Sequence, residues 1–200
     1  GRGRVIGVTG TAGKSTVTAM LGHALRAVAG GASGVDREHA AADPRDNPPQ
    51  PAEGQRAKLD ASRSSPHVYV GGNLGGSLLP VVDQISDDDW VVLELSSFML
   101  EGLRAAGWSP PVAVVTNIAP NHLDWHGSYA AYQRARQAIL DHQRRGNTAV
   151  LGPGVADWPT GEGVSRVTVA RPFGGALKLP GEHNRWNAAL ALEALARWEF

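Results

Sequence analysis

The stretch Val5-Ile6-Gly7-Val8-Thr9-Gly10-Thr11-Ala12-Gly13-Lys14-Ser15-Thr16 contains a short apolar run, a glycine-containing loop and the start of a helical pattern. Residues 5–9 have the length and composition of a buried strand. Apolar residues then recur at helical spacing, at Val17, Met20, Leu21, Leu25 and Val28. We expect this helix to end at Gly30-Gly31. The order strand, loop, helix predicts the opening of a βαβ unit.

The loop at residues 10–16 has the composition of a phosphate-binding turn. Glycines let backbone N–H groups approach an anion closely, and the helix start adds the positive end of its dipole. Lys14 would reach the β- and γ-phosphates of a nucleotide, and the Ser15 hydroxyl would ligate Mg²⁺. The usual pattern places a glycine five residues before Gly13, where this sequence has Val8. The alternative is a glycine-containing helix start that binds no ligand.

Apolar runs of strand length alternate with helical patterns along the rest of the chain. We expect strands at 67–70, 90–95, 112–116, 148–151 and 164–169, a short helix at 78–85, and helices at 128–143 and 184–198. This alternation predicts an α/β fold, with a mainly parallel sheet covered by helices on both faces. In such sheets ligands bind beyond the carboxyl ends of the strands.

Composition limits the classes of function. The chain has 200 residues, enough for one domain. Its 19 Lys and Arg balance 19 Asp and Glu, which argues against a nucleic-acid partner. Cysteine is absent, which excludes disulfides and fits a reducing cytosol. Neither a signal peptide nor an apolar run of about 20 residues is visible, so we expect a cytoplasmic protein without membrane insertion.

Residues 32–66 differ from the rest of the chain. Five prolines lie between Pro44 and Pro66, among polar and charged residues. Because almost no large apolar side chain is available for burial, we expect a long irregular surface insertion without a catalytic function. The chain starts without Met and ends inside a helical pattern, so we expect a piece of a longer protein.

Two polar positions follow predicted strands. Glu94 lies near the end of an apolar run, where burial is costly unless the carboxylate is paired. Its partner would be either a Mg²⁺ ion shared with Ser15, or a neighbouring lysine or backbone amide. His122, close to Asp124, follows the strand at 112–116. It is either a metal or catalytic group, or a surface residue.

Three further positions lie on predicted helices. Arg136, four residues after Tyr132, falls near the edge of an apolar helix face. It either points into a site or lays its stem along the core. Asn184 is predicted to cap the last helix. Asn187, one turn further on, is a candidate for hydrogen bonds to a base or sugar.

Taken together, five segments resemble the central ATP-binding domain of the Mur ligase family, in the same order. They are residues 10–16, Gly71-Gly72-Asn73-Leu74-Gly75, Glu94-Leu95-Ser96-Ser97-Phe98, Asn121-His122-Leu123-Asp124 and Leu179-Pro180-Gly181-Glu182-His183-Asn184-Arg185-Trp186-Asn187-Ala188. The resemblance covers nearly the whole chain except the proline-rich insertion, and it accounts for Val8 in place of glycine. Within the family, the Glu-Leu-Ser-Ser-Phe form points to ligases that add D-glutamate.

The resemblance implies an ATP-dependent ligase of peptidoglycan precursor synthesis in the bacterial cytoplasm. It implies ATP and Mg²⁺ as cofactors, and UDP-N-acetylmuramoyl-L-alanine and D-glutamate as partners joined through an acyl phosphate. We expect a monomer. The resemblance covers only the family's central domain, so we expect the N-terminal UDP-binding domain and the C-terminal domain to be absent from this sequence. We therefore expect this chain alone to bind nucleotide weakly and not to form the amide bond.

The resemblance also implies roles for individual residues. Lys14 and the loop hold the ATP phosphates, while Ser15 and Glu94 hold one Mg²⁺. His122 helps to hold a second. The implied substrate-binding residues are Asn73, Ser96 and His122. The implied nucleotide-side residues are Asn184, Asn187 and His183. The implied catalytic residues are Lys14, His122 and Arg136.

One position departs from the family pattern. The family has a lysine, usually carbamylated, where this chain has Arg136, and the carbamate helps to bind the second Mg²⁺. A guanidinium is a fixed cation and cannot replace an anion. Either the second metal is held differently, or this copy of the site is weakened, or the residue was altered. Arg136 could also contact a phosphate directly.

Other functions remain open. One is a related Mur or folylpolyglutamate-type ligase. Another is a nucleotide-binding module whose catalysis is impaired because of Arg136. A GTPase switch is disfavoured, since the sequence has no Asn-Lys-x-Asp motif for reading the base.

Overall fold

The computed structural model of the protein describes residues 4–29, 65–73 and 75–197. Six strands are present in this part of the chain: β1 Arg4–Thr9, β2 Val68–Gly72, β3 Trp90–Glu94, β4 Val112–Val115, β5 Thr148–Leu151 and β6 Ser165–Thr168. The helices are α1 Lys14–Ala29, α2 Ser97–Ala105, α3 Leu123–His126, α4 Tyr129–Gln137 and α5 Glu182–Ala196. Leu79–Gln84 and Pro153–Val155 are 3₁₀ helices. The expected helix stop at Gly30-Gly31 lies outside the described residues, as does all but the end of the proline-rich insertion.

The strands form one sheet in the order β2-β3-β1-β4-β5-β6, and every neighbouring pair is parallel. The predicted parallel α/β fold is therefore confirmed. Because all strands run the same way, their carboxyl ends share one edge of the sheet. Glu94 at the end of β3 lies opposite Val8 in β1 and Gly72 in β2. The loop after β1 therefore begins beside Glu94.

Alternating side chains on the strands cover both faces of the sheet. Val112 and Val114 join the core beneath α1 and α5, whereas Ala113 and Val115 join the core on the other face. The first core includes Ile6, Val8, Val17, Leu21, Leu25, Val92, Leu190 and Ala194. The second includes Leu95, Leu100, Ile139, Leu140, Leu151, Val155 and Trp158. Both faces are apolar, as buried parallel strands require.

Helix boundaries differ from the sequence predictions. The helix expected at 128–143 ends at Gln137, because the chain changes there to bonds three residues back, such as Leu140 N–H to the Gln137 carbonyl at 2.8 Å. The last helix begins at Glu182, and Gly181 occupies its N-cap position. The prediction that Asn184 is the cap is therefore wrong. α2 and α3 were not predicted.

No helix in the described ranges has the length and apolarity that crossing a membrane requires.

The contact of α1 with the sheet can be tested by truncating Leu21, which is fully buried (0 % exposed). We expect Leu21→Ala to lower the free energy of unfolding by about 2–5 kcal/mol, because it removes buried carbon and leaves a cavity. Val28→Ala is a matched control on the same helix, since Val28 is 59 % exposed, and should cost less than about 0.5 kcal/mol. Urea denaturation measures both. Similar losses would contradict this packing of α1.

Candidate functional site

The loop between β1 and α1 is held by the residues that follow β4. Asn117 uses both its backbone and its side chain: its carbonyl accepts from Thr11 N–H at 3.0 Å, and its Oδ1 accepts from Ala12 N–H at 3.0 Å. Asn117 Nδ2 and Thr116 Oγ1 donate in return to the Ala12 carbonyl, at 2.9 and 2.6 Å. Gly10 has φ of 139°, and a Cβ there would collide with Thr116 Oγ1. The first half of the loop is thus hydrogen-bonded to Thr116 and Asn117, the residues that follow β4.

The second half of the loop offers free donors. Within residues 4–29, 65–73 and 75–197, the backbone N–H groups of residues 13–16 make no hydrogen bond. They belong to Gly13 and the first turn of α1, where an α-helix leaves its N–H groups unpaired and carries the positive end of its dipole. Such a group of donors binds phosphate. The unpaired backbone donors of this loop are therefore those of residues 13–16 rather than those of the whole loop.

Lys14 lies half-buried at this helix start. Its Nζ donates to the Thr11 carbonyl at 3.2 Å, which folds the side chain back over the loop. Burial, followed by repulsion from Arg136, holds the pKa of Lys14 below its ordinary value, while Glu94 opposes the shift. An incoming phosphate would offset both costs of keeping the ammonium charged.

Glu94 is buried, with 1 % of its surface exposed. Its Oε1 accepts from Asn73 Nδ2 at 2.8 Å, and its carbonyl accepts from Asn73 N–H at 2.9 Å. A Cβ on Gly72 would collide with that carbonyl, so glycine permits the close approach of β2. Glu94 Oε2 is buried and makes no hydrogen bond in the described part of the chain. An unpaired buried carboxylate oxygen is costly and calls for a cation.

These residues fit a magnesium ion bound together with a nucleotide. Mg²⁺ prefers oxygen ligands and is commonly held by one or two carboxylates, phosphate oxygens and water. Glu94 offers the unpaired oxygen, and the hydroxyl of Ser15 lies in the first turn of α1. In the described ranges, this site included, no group of three His, Cys, Asp or Glu residues is arranged to hold a metal. An ion here therefore depends on the ligand's own oxygens.

Arg136 lies behind the loop, and only 2 % of its surface is exposed. Nη1 donates to Thr9 Oγ1 at 2.7 Å and to the Leu95 carbonyl at 3.2 Å, while Nε donates to Tyr132 Oη at 3.1 Å. Burial lowers the pKa of Arg136, and Tyr132 and Glu94 oppose that shift. The guanidinium thus occupies the interior beneath the site, hydrogen-bonded to the ends of β1 and β3.

Tyr132 contacts the loop, whereas its spacing in the sequence predicts only that it lies on the apolar face of a helix. Its hydroxyl lies 3.0 Å from Thr11 Oγ1, and its ring centroid lies 5.1 Å from the Arg136 guanidinium carbon. It therefore connects α4 to the loop. Thr116 and Asn117 were also missed, although their position directly after a buried strand was a usable signal.

His122 and Ser96 lie at the same edge of the sheet but outside the Lys14–Glu94–Arg136 group. His122 has a left-handed backbone (φ 51°), and its exposed ring lies 5.4 Å from Phe98 and 6.5 Å from Tyr132, between centroids. Ser96 caps α2, since its Oγ accepts from Met99 N–H at 3.2 Å. No hydrogen bond links either side chain to Glu94 or Lys14 within the described residues.

The start of α5 lies against the loop. Asn187 is 5 % exposed, and a Cβ on Gly13 would collide with its Oδ1. Asn187 Nδ2 donates to Asn184 Oδ1 at 3.3 Å, and Asn184 Nδ2 donates to the Pro180 carbonyl at 2.7 Å. The structure therefore places Asn187 beside Gly13 of the loop, whereas Asn184 and His183 lie nearer the surface.

Residues 77–169 match the model of the Mur ligase middle domain. Two relatives share 38 % identity with this chain, each named UDP-N-acetylmuramoylalanine–D-glutamate ligase: that of Roseiflexus sp. (strain RS-1) over 74 % of the chain, and that of Symbiobacterium thermophilum over 80 %. The chain belongs to the Mur ligase family. It spans about a quarter of the length of these two relatives, at 24 % and 26 %.

Solved Mur ligases share the fold of this chain. The UDP-N-acetylmuramate:L-alanyl-gamma-D-glutamyl-meso-diaminopimelate ligase of Neisseria meningitides aligns with a TM-score of 0.59 and 16 % identity, covering 98 % of this chain and 62 % of its own. The MurF ligase of Thermotoga maritima, solved in complex with ADP, gives 0.51 and 17 %, covering 98 % and 45 %. At these identities the similarity establishes the fold.

The contact between Gly13 and Asn187 predicts a strong effect of adding one methyl group. Gly13 has φ of 81°, so Gly13→Ala should lower the free energy of unfolding by more than about 1 kcal/mol. By displacing α5 from the loop, it should also weaken binding of Mg-ADP. Gly154→Ala is the control, because nothing lies within 4 Å of its added Cβ. Thermal unfolding and calorimetric titration measure the two effects. Unchanged ADP affinity in Gly13→Ala would contradict the assigned loop.

The lowered pKa of Lys14 predicts that nucleotide binding depends on pH. Because the pKa of Lys14 is lowered, its ammonium is lost at a lower pH than that of an ordinary lysine. ADP affinity should therefore fall as the pH rises from neutral into the alkaline range. Lys14→Arg should not show this fall, since arginine stays charged. Titration calorimetry with ADP at a series of pH values measures it. Equal alkaline losses in both proteins would assign the fall to another group.

Proposed function

We propose that this protein acts as an ATP-dependent ligase that adds D-glutamate to UDP-N-acetylmuramoyl-L-alanine, a step of peptidoglycan precursor synthesis. The supporting observation is that three features meet at one edge of the sheet. They are the free N–H groups at residues 13–16, the ammonium of Lys14 and the unpaired oxygen of Glu94. Relatives with 31–38 % identity carry the name of this ligase.

The phosphates of ATP are proposed to lie on residues 13–16, with Lys14 reaching over them. The free N–H groups supply hydrogen bonds, and the ammonium supplies a charge that the buried setting makes strong. The related MurF of Thermotoga maritima was solved in complex with ADP, and we propose the same class of ligand here. Asn187, beside Gly13, and Asn184 are proposed to lie on the nucleotide side.

Glu94 and Ser15 are the proposed ligands of a magnesium ion, which when bound would neutralise phosphate charge. Asn73 holds Glu94 Oε1, so Oε2 remains the oxygen available to the ion. This arrangement fixes the carboxylate before the ligand arrives, and preorganisation of this kind lowers the cost of binding.

The proposed reaction has two steps. The γ-phosphoryl group of ATP passes to a carboxylate oxygen of UDP-N-acetylmuramoyl-L-alanine, and ADP leaves. The amine of D-glutamate then attacks the acyl carbon, the bond to the phosphate oxygen breaks, and the nitrogen loses a proton. The protein's contribution is to position the reactants and to stabilise charge on the moving phosphoryl group.

Asn73, Ser96 and His122 are the proposed contacts to the muramoyl substrate. Ser96 Oγ accepts a hydrogen bond from α2, but its own O–H is still available as a donor. Asn73 donates one N–H to Glu94 and retains a second, together with its Oδ1. We propose a monomeric cytoplasmic enzyme without a nucleic-acid partner.

A second candidate is a nucleotide-binding module with impaired catalysis. The buried guanidinium of Arg136 favours it, because this cation lies where the family resemblance implies an anionic carbamate. Ligases that use another amino acid or a folylpolyglutamate acceptor form a third class. The acceptor tested in the experiment below separates these classes.

The full-length protein should release phosphate only when ATP, UDP-N-acetylmuramoyl-L-alanine and D-glutamate are all present. Lys14→Met should reduce this rate by about a hundredfold or more, because it removes a charge that acts on the phosphoryl group. Arg26→Met removes an equal charge from the exposed far end of α1 and should leave the rate unchanged. Phosphate release and product mass spectrometry measure the outcome.

The outcomes of this assay distinguish the candidate functions from one another. ATP binding without turnover supports the binding module. Turnover with other acceptors only, such as a different amino acid, supports a related ligase. We expect the 200-residue chain alone to bind ADP but not to ligate. Phosphate release by this chain alone, dependent on both substrates, would overturn that expectation.

A further inference from the structure

The position of the Arg136 guanidinium is fixed by its contacts. Two of its nitrogens make three hydrogen bonds, to Thr9 Oγ1, the Leu95 carbonyl and Tyr132 Oη. The ring of Tyr132 lies against the guanidinium, with 5.1 Å between the guanidinium carbon and the ring centroid. All of these partners are neutral. No carboxylate in the described ranges forms an ion pair with Arg136.

The charge of Arg136 therefore acts on the site rather than on a local partner. Burial, followed by repulsion from Arg136, lowers the pKa of Lys14, and attraction by Glu94 opposes the lowering of the pKa of Lys14 and of Arg136. The three groups thus lie within electrostatic reach of one another, beneath and beside the loop. Their charges sum to one positive unit before any ligand binds.

Anionic protein ligands at this edge are sufficient for one divalent ion. Glu94 has one unpaired oxygen, since Asn73 occupies the other. His122 offers one imidazole ring, which lies edge-on to Phe98. Within the part of the chain that the structure describes, no three His, Cys, Asp or Glu residues are gathered around a metal position. A second divalent ion would have few ligands and a fixed cation near it.

We propose that Arg136 is a built-in cation of the nucleotide site, and that the site binds one divalent ion per nucleotide instead of two. The inference rests on the nucleotide binding proposed above. Arginine suits this role because its guanidinium stays charged when buried and holds several acceptors in a fixed geometry. The bound nucleotide then interacts with three cations: Lys14, Arg136 and a single metal ion.

The number of metal ions is measured by electron paramagnetic resonance of Mn²⁺, titrated into the protein with a saturating non-hydrolysable ATP analogue. Nucleotide binding is measured separately by calorimetry. We expect one Mn²⁺ per bound nucleotide in the wild type. Arg134→Gln removes a charge from the exposed face of the same helix and is the matched control.

Two substitutions should change the number. Arg136→Gln removes the cation and should tighten binding of a second Mn²⁺ by at least about tenfold relative to wild type, because repulsion is lost. Arg136→Glu replaces the cation with a ligand and should bind two Mn²⁺ per nucleotide. Thermal unfolding checks that each variant is folded, and Arg136→Gln carries the test if Arg136→Glu does not fold.

The outcomes separate this inference from the proposed function. Two Mn²⁺ per nucleotide in the wild type would overturn the inference while leaving nucleotide binding intact. A folded Arg136→Gln that matches the wild type in its affinity for a second Mn²⁺ would also overturn it. Absence of nucleotide binding by the wild type would overturn the proposed function, and the inference with it.

Discussion

The paired hydrogen bonds between Asn117 and Ala12 determine the shape of the site. The side chain of Asn117 both accepts from and donates to the backbone of Ala12, at 3.0 and 2.9 Å, so the loop after β1 is tied to the end of β4. Two central strands of the sheet thereby set the loop conformation before any ligand is present. A loop fixed in this way loses little conformational freedom on binding an anion, so less binding free energy is spent on ordering it.

Charge at the site is balanced over several residues rather than in simple pairs. Glu94 leaves one oxygen unpaired, Lys14 has a lowered pKa, and Arg136 is surrounded by neutral acceptors. Each of these is unfavourable in the free protein, since buried charges are stabilised by close partners. A polyanion accompanied by a divalent ion would complete all three sets of interactions together. Incompletely paired charges and shifted pKa values of this kind are commonly found where a ligand binds.

Much of the fold and part of the site follow from the sequence. Alternating apolar runs and helical patterns predict the parallel sheet, because strands buried on both faces must be apolar throughout. A loop of the phosphate-binding type can be predicted because Gly13, Lys14 and Ser15 lie between a predicted strand and a predicted helix. Tyr132 and Arg136 are different: both lie on one helix, but their partners Thr9, Thr11 and Leu95 come from distant parts of the chain. Such contacts depend on tertiary packing, and helical spacing alone shows only an apolar face. The packing of Asn187 against Gly13 is hidden for the same reason.

The hydrogen bonds around Tyr132 connect Arg136 to the loop through hydroxyl groups. Arginine can only donate, so Tyr132 Oη accepts a hydrogen bond from Arg136 Nε and can donate its own hydrogen to Thr11 Oγ1. Thr11 then donates to the Ala119 carbonyl at 3.1 Å. The second path runs the same way, from Arg136 through Thr9 Oγ1 to the Leu95 carbonyl. In each relay the hydroxyl can accept from the side of the guanidinium and donate away from it, and the hydrogen bonds within such a chain polarise one another. Each relay ends on a backbone carbonyl, which can only accept, so a donor-only cation at one end and an acceptor-only carbonyl at the other hold the hydroxyl hydrogens in one direction.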